Sequence, residues 1–169
     1  MAHVFYDVPM VAQGPNPICW VACMAMTESF LRSASIGIGK YTGGFDPSDS
    51  CIDNPVHGAV QGPMQAYSFY PVDSDQAVNI GSVIDLLNQY GPLIYFHHIT
   101  DGQPWTNAPG TNGSHAVVIE GADDSVNGGM LWVNNPWGSK DIPITASALL
   151  PIAANPASCR LSFSYGWFS

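Results

Sequence analysis

An α+β fold with a mostly antiparallel sheet is predicted by two features of this sequence. Its first part holds a long stretch with apolar residues at helical spacing. Its second part holds short β-branched or aromatic runs separated by turn residues. Helix first and strands afterwards is the pattern of α+β, not of alternating βα units. No internal repeat and no linker divides the 169 residues, so residues 1–169 are expected to form a single domain, long enough to bury most of its apolar surface.

The helical stretch is "NPICWVACMAMTESFLRSA", residues 16–34. Trp20, Cys23, Met24, Thr27, Phe30 and Leu31 share one face at a period of 3.6, and Pro17 suits a first helical turn. Residues 35–63 are rich in Gly, Ser, Asp and Pro and read as a long irregular connection. A second helix is predicted over residues 82–90, with Ser82 as cap and Gly91-Pro92 as stop. The period then changes. "PLIYFHHI", "HAVVIEGA" and "GMLWVNNP" read as strands, and the alternation of Leu161, Phe163 and Tyr165 in "SCRLSFSYGWF" as a closing strand.

Composition narrows the function. With 46% hydrophobic and 11% aromatic residues the chain is not a disordered one. Thirteen acidic residues stand against four basic ones, Arg32, Lys40, Lys140 and Arg160, which are scattered along the chain. No basic patch forms from them, so nucleic acid is excluded as a partner. No apolar run is long enough to span a bilayer, and the first residues lack the charged start and apolar run of a signal peptide. The expectation is no membrane partner, with the compartment left open. Four cysteines, at 19, 23, 51 and 159, are too few for a disulfide framework and are not spaced as zinc ligands. Cys51 and Cys159 could still pair in an oxidising compartment.

Cys19 stands at the start of the first helix, where the helix dipole and a nearby imidazolium would favour its thiolate. Taken alone it reads first as a small, inert core residue, which is also the reading of Cys23 one turn on. His115 opens a strand in "GSHAVVIEG", where it can face a groove or sit as a satisfied edge histidine. In "VNNPWG", Asn135 offers an amide to orient an imidazole and Trp137 a ring to shield it, or the five residues are merely a turn. Gln13 lies six positions before Cys19, with a glycine and two prolines between.

Gln, Cys, His and Asn in this order resemble the papain-like cysteine peptidase superfamily. Gln13, Cys19 and Trp20 match its Gln-x5-Cys-Trp element. His115, Ala116 and Val117 match its His-Ala-Val strand, and Asn135, Trp137 and Gly138 its Asn-x-Trp-Gly turn. The chain is shorter than the plant and lysosomal members and lacks their cysteine just before the nucleophile. "CWVACMAM", "GPLIYF" and "NNPWG" are more similar to a compact bacterial branch of effector proteases and bacteriocin-leader peptidases, in which an aspartate often takes the place of Asn135. Asn134 competes for that place, but neighbouring strand residues point to opposite faces, so only one can meet His115.

The resemblance implies a papain-like fold, with the catalytic helix packed on the sheet, and a peptidase that acts on a protein or peptide substrate without cofactor or metal. Cys19 is then the nucleophile, His115 its base, Asn135 the orienting residue and Gln13 an oxyanion donor. Trp20 and Trp137 would wall the site; by its composition the loop before His115, which carries Trp105, either lines or covers the cleft or is a plain surface loop. The same machinery serves deamidases, amidases and transglutaminase-type enzymes, and an inactive, peptide-binding relative is the non-enzyme alternative. A delivered effector or toxin domain would suit the resemblance, and it would call for a cognate inhibitor or immunity protein.

Elsewhere the signals are weaker. One of His97 and His98 should point inward, as polar residues at a strand end. "GIGKYTGG" lacks the spacing of a phosphate loop. Asp46, Asp49 and Asp53 do not match a calcium loop and read as solvated acids.

Overall fold

The computed structural model describes the backbone of residues 1–15, 18–41, 61–72, 79–99, 101–105, 113–153 and 162–165. Pro17, the three loop aspartates, most of the 35–63 connection and the Cys51–Cys159 pairing lie outside the described residues.

The strands are β1 (His3–Phe5), β2 (Phe69–Val72), β3 (Leu93–Ile99), β4 (Gly113–Asp123), β5 (Met130–Asn135), β6 (Ser139–Thr145) and β7 (Ser162–Tyr165). They form one sheet in the order β2-β7-β3-β4-β5-β6, antiparallel at every pairing described. The long β4 is the spine. One side of it pairs β3 through residues 113–119 and then β1 through residues 121–123, while the other side pairs β5. The predicted closing strand is β7, which joins β2 to β3.

The helices are α1 (Cys19–Arg32), α2 (Gln61–Ala66), α3 (Ile80–Tyr90) and α4 (Ala146–Ala153), with a 3-10 turn at Ile38–Tyr41. Sheet residues alternate between two apolar cores. Leu93, Tyr95, Val117 and Ile119 pack with Val83, Leu87 and Leu149 of α3 and α4. Ile94, Phe96, Ala116 and Val118 pack with Trp20, Cys23 and Met24 of α1. The central strands are therefore apolar on both faces, which is why they read as continuous hydrophobic runs.

Three sequence expectations change. Helix α1 has no single buried face: every residue from Cys19 to Ser29 is buried, while Leu31 is exposed. A helix apolar all round goes inside; Val8, Tyr41, Met64 and Phe69 cover the sides that the sheet leaves open. Helix α3 starts earlier than expected. Asn79 is its cap and accepts from the Ser82 backbone N–H at 3.0 Å, so Ser82 is the third helical residue. Gly91 ends the helix as expected, at φ 78° with its N–H on the Leu87 carbonyl. The 35–63 connection is not wholly irregular, because the 3-10 turn lies near its start and α2 begins at its end.

Three of the scattered basic residues meet acids. Glu28, buried in α1, takes the Lys40 ammonium, the Tyr41 hydroxyl and the Arg32 guanidinium, the last at 3.2 Å. Lys140 bridges Asp7 and Asp141 at 2.5 and 2.8 Å.

Candidate active site

The N-terminal segment, α1, β4 and β5 carry the sequence-predicted catalytic residues. Cys19 is the first residue of α1 and is 4% exposed. The helix end is bare of competing charge. Its cap position is Ile18, which makes no side-chain bond, and the first turn holds no acid. The positive end of the helix dipole there biases a thiol toward thiolate. Helix α1 packs on β4, and Cys19 shares an apolar cluster with Ala116, the residue after His115.

Cys23 differs in kind. Burial pushes its thiol well above the ordinary range, and the negative charge of Cys19 adds to the shift. A thiol held protonated in an apolar core is inert, in keeping with its sequence reading as core.

His115 lies on β4 directly across the ladder from His97 on β3. Its Nε2 is 2.9 Å from Asn135 Oδ1. Asn135 ends β5 and enters a tight turn: its Oδ1 also accepts from the Trp137 N–H at 3.2 Å, and its carbonyl accepts from the Gly138 N–H at 2.9 Å. Gly138 has φ 113°, a conformation that side-chain-bearing residues rarely adopt, so the turn depends on glycine. The turn also lays Trp137 over His115, with ring centroids 4.2 Å apart and planes 25° apart. Trp137 thus covers the imidazole and the hydrogen bond beneath it. Asn134 points elsewhere: its amide donates to the Val8 carbonyl and to Glu120, and none of its bonds reaches His115.

Gln13 is largely buried, and its backbone N–H donates to the Pro136 carbonyl at 2.8 Å. That bond sets Gln13 beside the turn that carries Asn135 and Trp137.

The other two tryptophans divide. Trp20 was expected to wall the site and meet substrate. At 2% exposure it is instead a core residue behind the nucleophile, because α1 is enclosed on all sides. Trp105 is held beside the site by its Nε1–H, which donates to His97 Nε2 at 3.0 Å, and its ring lies 6.5 Å edge-on from His115. His97 is the inward member of the histidine pair and is fully buried. Since its Nε2 accepts a hydrogen bond, its ring is neutral in this arrangement.

Two buried acids were missed from the sequence. Glu28 is absent from the apolar face predicted for α1, and Glu120 was absorbed into the apolar run "HAVVIEGA". An acid inside an otherwise apolar strand was the available signal for Glu120, because such groups are buried only with partners. Among the described residues, no group of three or more His, Cys, Asp or Glu side chains is arranged to hold a metal ion.

Comparisons with known proteins agree with this geometry at the level of family and fold. Residues 2–147 match the family described as papain-like cysteine protease AvrRpt2. No curated protein matches the chain. Among solved structures it is similar to digestive procathepsin L 3 of Tenebrio molitor larval midgut, with a TM-score of 0.61 and 13% identity. That alignment covers 98% of this chain and 69% of the procathepsin chain, and at such identity the likeness is one of fold. The family match spans most of the sequence and the fold is papain-like: this chain belongs to the AvrRpt2 family of papain-like cysteine proteases.

Proposed function

We propose that the chain cleaves peptide bonds with Cys19 as nucleophile, His115 as proton carrier, Asn135 as the residue that orients it and Gln13 as an oxyanion donor. The observation that carries this reading is the 2.9 Å contact of His115 Nε2 with Asn135 Oδ1 under the Trp137 ring. An amide oxygen only accepts, so Nε2 bears hydrogen and Nδ1 is the nitrogen that takes the thiol proton.

The Cys19 thiolate attacks the scissile carbonyl carbon. A C–S bond forms, and the carbonyl π pair moves to oxygen. The Gln13 amide and the Cys19 backbone N–H stabilise that oxyanion. On collapse the C–N bond breaks, and the leaving amine takes the proton from His115 Nδ1. Water then attacks the thioester as Nδ1 accepts its proton, and the C–S bond breaks to release acid and thiolate. Asn135 keeps the imidazole in the required tautomer through both halves, and Trp137 keeps bulk water from its Nε2 hydrogen bond.

The effector or toxin role, and the cognate inhibitor it calls for, form part of the same proposal and draw support from family resemblance alone. The test compares wild type with Cys19→Ala on a denatured cell lysate by mass spectrometry of new N-termini. Peptidase activity gives N-termini found only with wild type. Identical N-terminal sets, or deamidated products of unchanged chain length, would refute it.

A further inference from the structure

We propose that Glu120 and Asn134 are positioning residues for Gln13, clamping residues 6–13 onto the two strands that carry His115 and Asn135. The inference rests on the catalytic reading above.

Both residues are fully buried, at 0% exposure. Burying a carboxyl group and an amide is costly unless their hydrogen bonds are made, and these bonds all concern one neighbourhood. Asn134 spends its two amide hydrogens on the Val8 carbonyl, at 2.9 Å, and on Glu120 Oε2, at 3.1 Å. Its Oδ1 accepts from the Asp141 N–H at 2.9 Å, which fixes the amide's orientation. Glu120 Oε2 in turn accepts from the Val8 N–H at 3.1 Å. One residue of the N-terminal segment is thus gripped at both its donor and its acceptor.

The segment needs such a grip. Residues 6–13 form no helix or strand, and Pro9 has no N–H to offer a ladder. Its remaining described backbone ties to these strands are the Tyr6 N–H on the Glu120 carbonyl and the Gln13 N–H on the Pro136 carbonyl, each 2.8 Å. The backbone anchors lie on the catalytic strands or the turn that follows β5, while the Tyr6 hydroxyl reaches the Leu87 carbonyl of α3 and Asp7 meets Lys140 of β6. Glu120 is on β4 with His115, and Asn134 and Pro136 flank Asn135. The clamp therefore places Gln13 in register with the base and its orienting amide. An oxyanion donor acts only from the right position, so a shift of about 1 Å can cost about 10²-fold. Burial pushes the Glu120 carboxyl up to about 8, with Asp141 adding to the shift. A neutral carboxyl still accepts both bonds at Oε2, as a glutamine amide oxygen would.

The test pairs two probes of Cys19. Hydrolysis of 4-nitrophenyl acetate passes through an oxyanion; alkylation by iodoacetamide does not. Asn134→Leu is expected to slow ester turnover about tenfold, less than the roughly 10²–10³ for loss of a donor itself. Its alkylation rate stays at the wild-type value. In a Gln13→Ala background, Asn134→Leu changes turnover by less than about twofold, the scatter of independent sites. Glu120→Gln retains wild-type turnover, and Glu120→Leu loses what Asn134→Leu loses. An equal loss from Asn134→Leu in both backgrounds, or a parallel fall in alkylation, overturns the inference. If Asn134→Leu does not fold, the Glu120 pair decides, and equal turnover of Gln and Leu variants overturns it. Full ester turnover in Gln13→Ala measured alone is a separate outcome: it removes Gln13 from the oxyanion site, and the inference falls with its parent reading.

Discussion

Replacing Glu120 by glutamine should change how stability depends on pH. The Glu120 carboxyl is fully buried, and burial together with the nearby Asp141 carboxylate raises its pKa from 4.5 to about 8, against the opposing pull of the Val8 N–H and, less, of Lys140. In the unfolded chain it ionises at the ordinary value, so between 4.5 and about 8 the folded protein holds a proton that the unfolded chain has released. The unfolded state then binds fewer protons, and stability falls as pH rises through that window before levelling off. At 1.36 kcal/mol per pH unit the interval amounts to at most roughly 5 kcal/mol. The observed loss should be smaller, because Asp141 and Lys140 are partly exposed and let water reach the cluster. Glu120→Gln has the same shape and no proton to lose. Urea unfolding of both proteins at pH values from about 5 to about 9, in a Cys19→Ala background to prevent self-digestion, gives the difference directly. The two should agree near the acid end, with the glutamine variant the more stable by a few kcal/mol at the alkaline end. Parallel curves would refute the buried, proton-holding carboxyl.

Cys19→Ala should abolish turnover with the fold intact. Cys23→Ala should keep turnover and lose about 1–2 kcal/mol to the cavity it leaves, and iodoacetamide at about pH 6 should label Cys19 and spare Cys23, read by peptide mapping. Asn135→Ala should lower turnover while leaving Cys19 alkylation detectable, and Asn134→Ala should have the smaller effect; equal and complete losses from both would show that the turn itself matters and not the Asn135 amide. Gln13→Ala should cut turnover roughly 10²–10³-fold with alkylation unchanged, whereas loss of both together would mean a merely structural glutamine. Glu28→Ala should cost about 1–3 kcal/mol, because the buried Tyr41 hydroxyl loses its carboxylate while Lys40 and Arg32 turn to water; thermal unfolding would show it, and an unchanged midpoint would refute it.

The sequence by itself determined what depends on short range. Runs of β-branched and aromatic residues marked β3, β4 and β5, and "CWVACMAM" marked α1, because period and composition report local backbone preference. The order Gln13, Cys19, His115, Asn135 was legible as a resemblance because a family's chemistry needs those residue types in that order. What the sequence left open was decided by packing between distant segments. The three-residue β1 and the proline-containing edge strand β6 have no signal of their own and exist because β4 and β5 offer ladder partners. Helix α1 is buried all round because the N-terminal segment and Tyr41, Met64 and Phe69 close over it, so Trp20 became core and not wall. Adjacent asparagines read alike in sequence. The pleat and the register of β5 on β4 send Asn135 to His115, 2.9 Å away, and Asn134 to Glu120 and Val8. Side-chain direction in a sheet follows from register, and the partner that Asn134 then meets, Val8, lies more than a hundred positions away in the sequence.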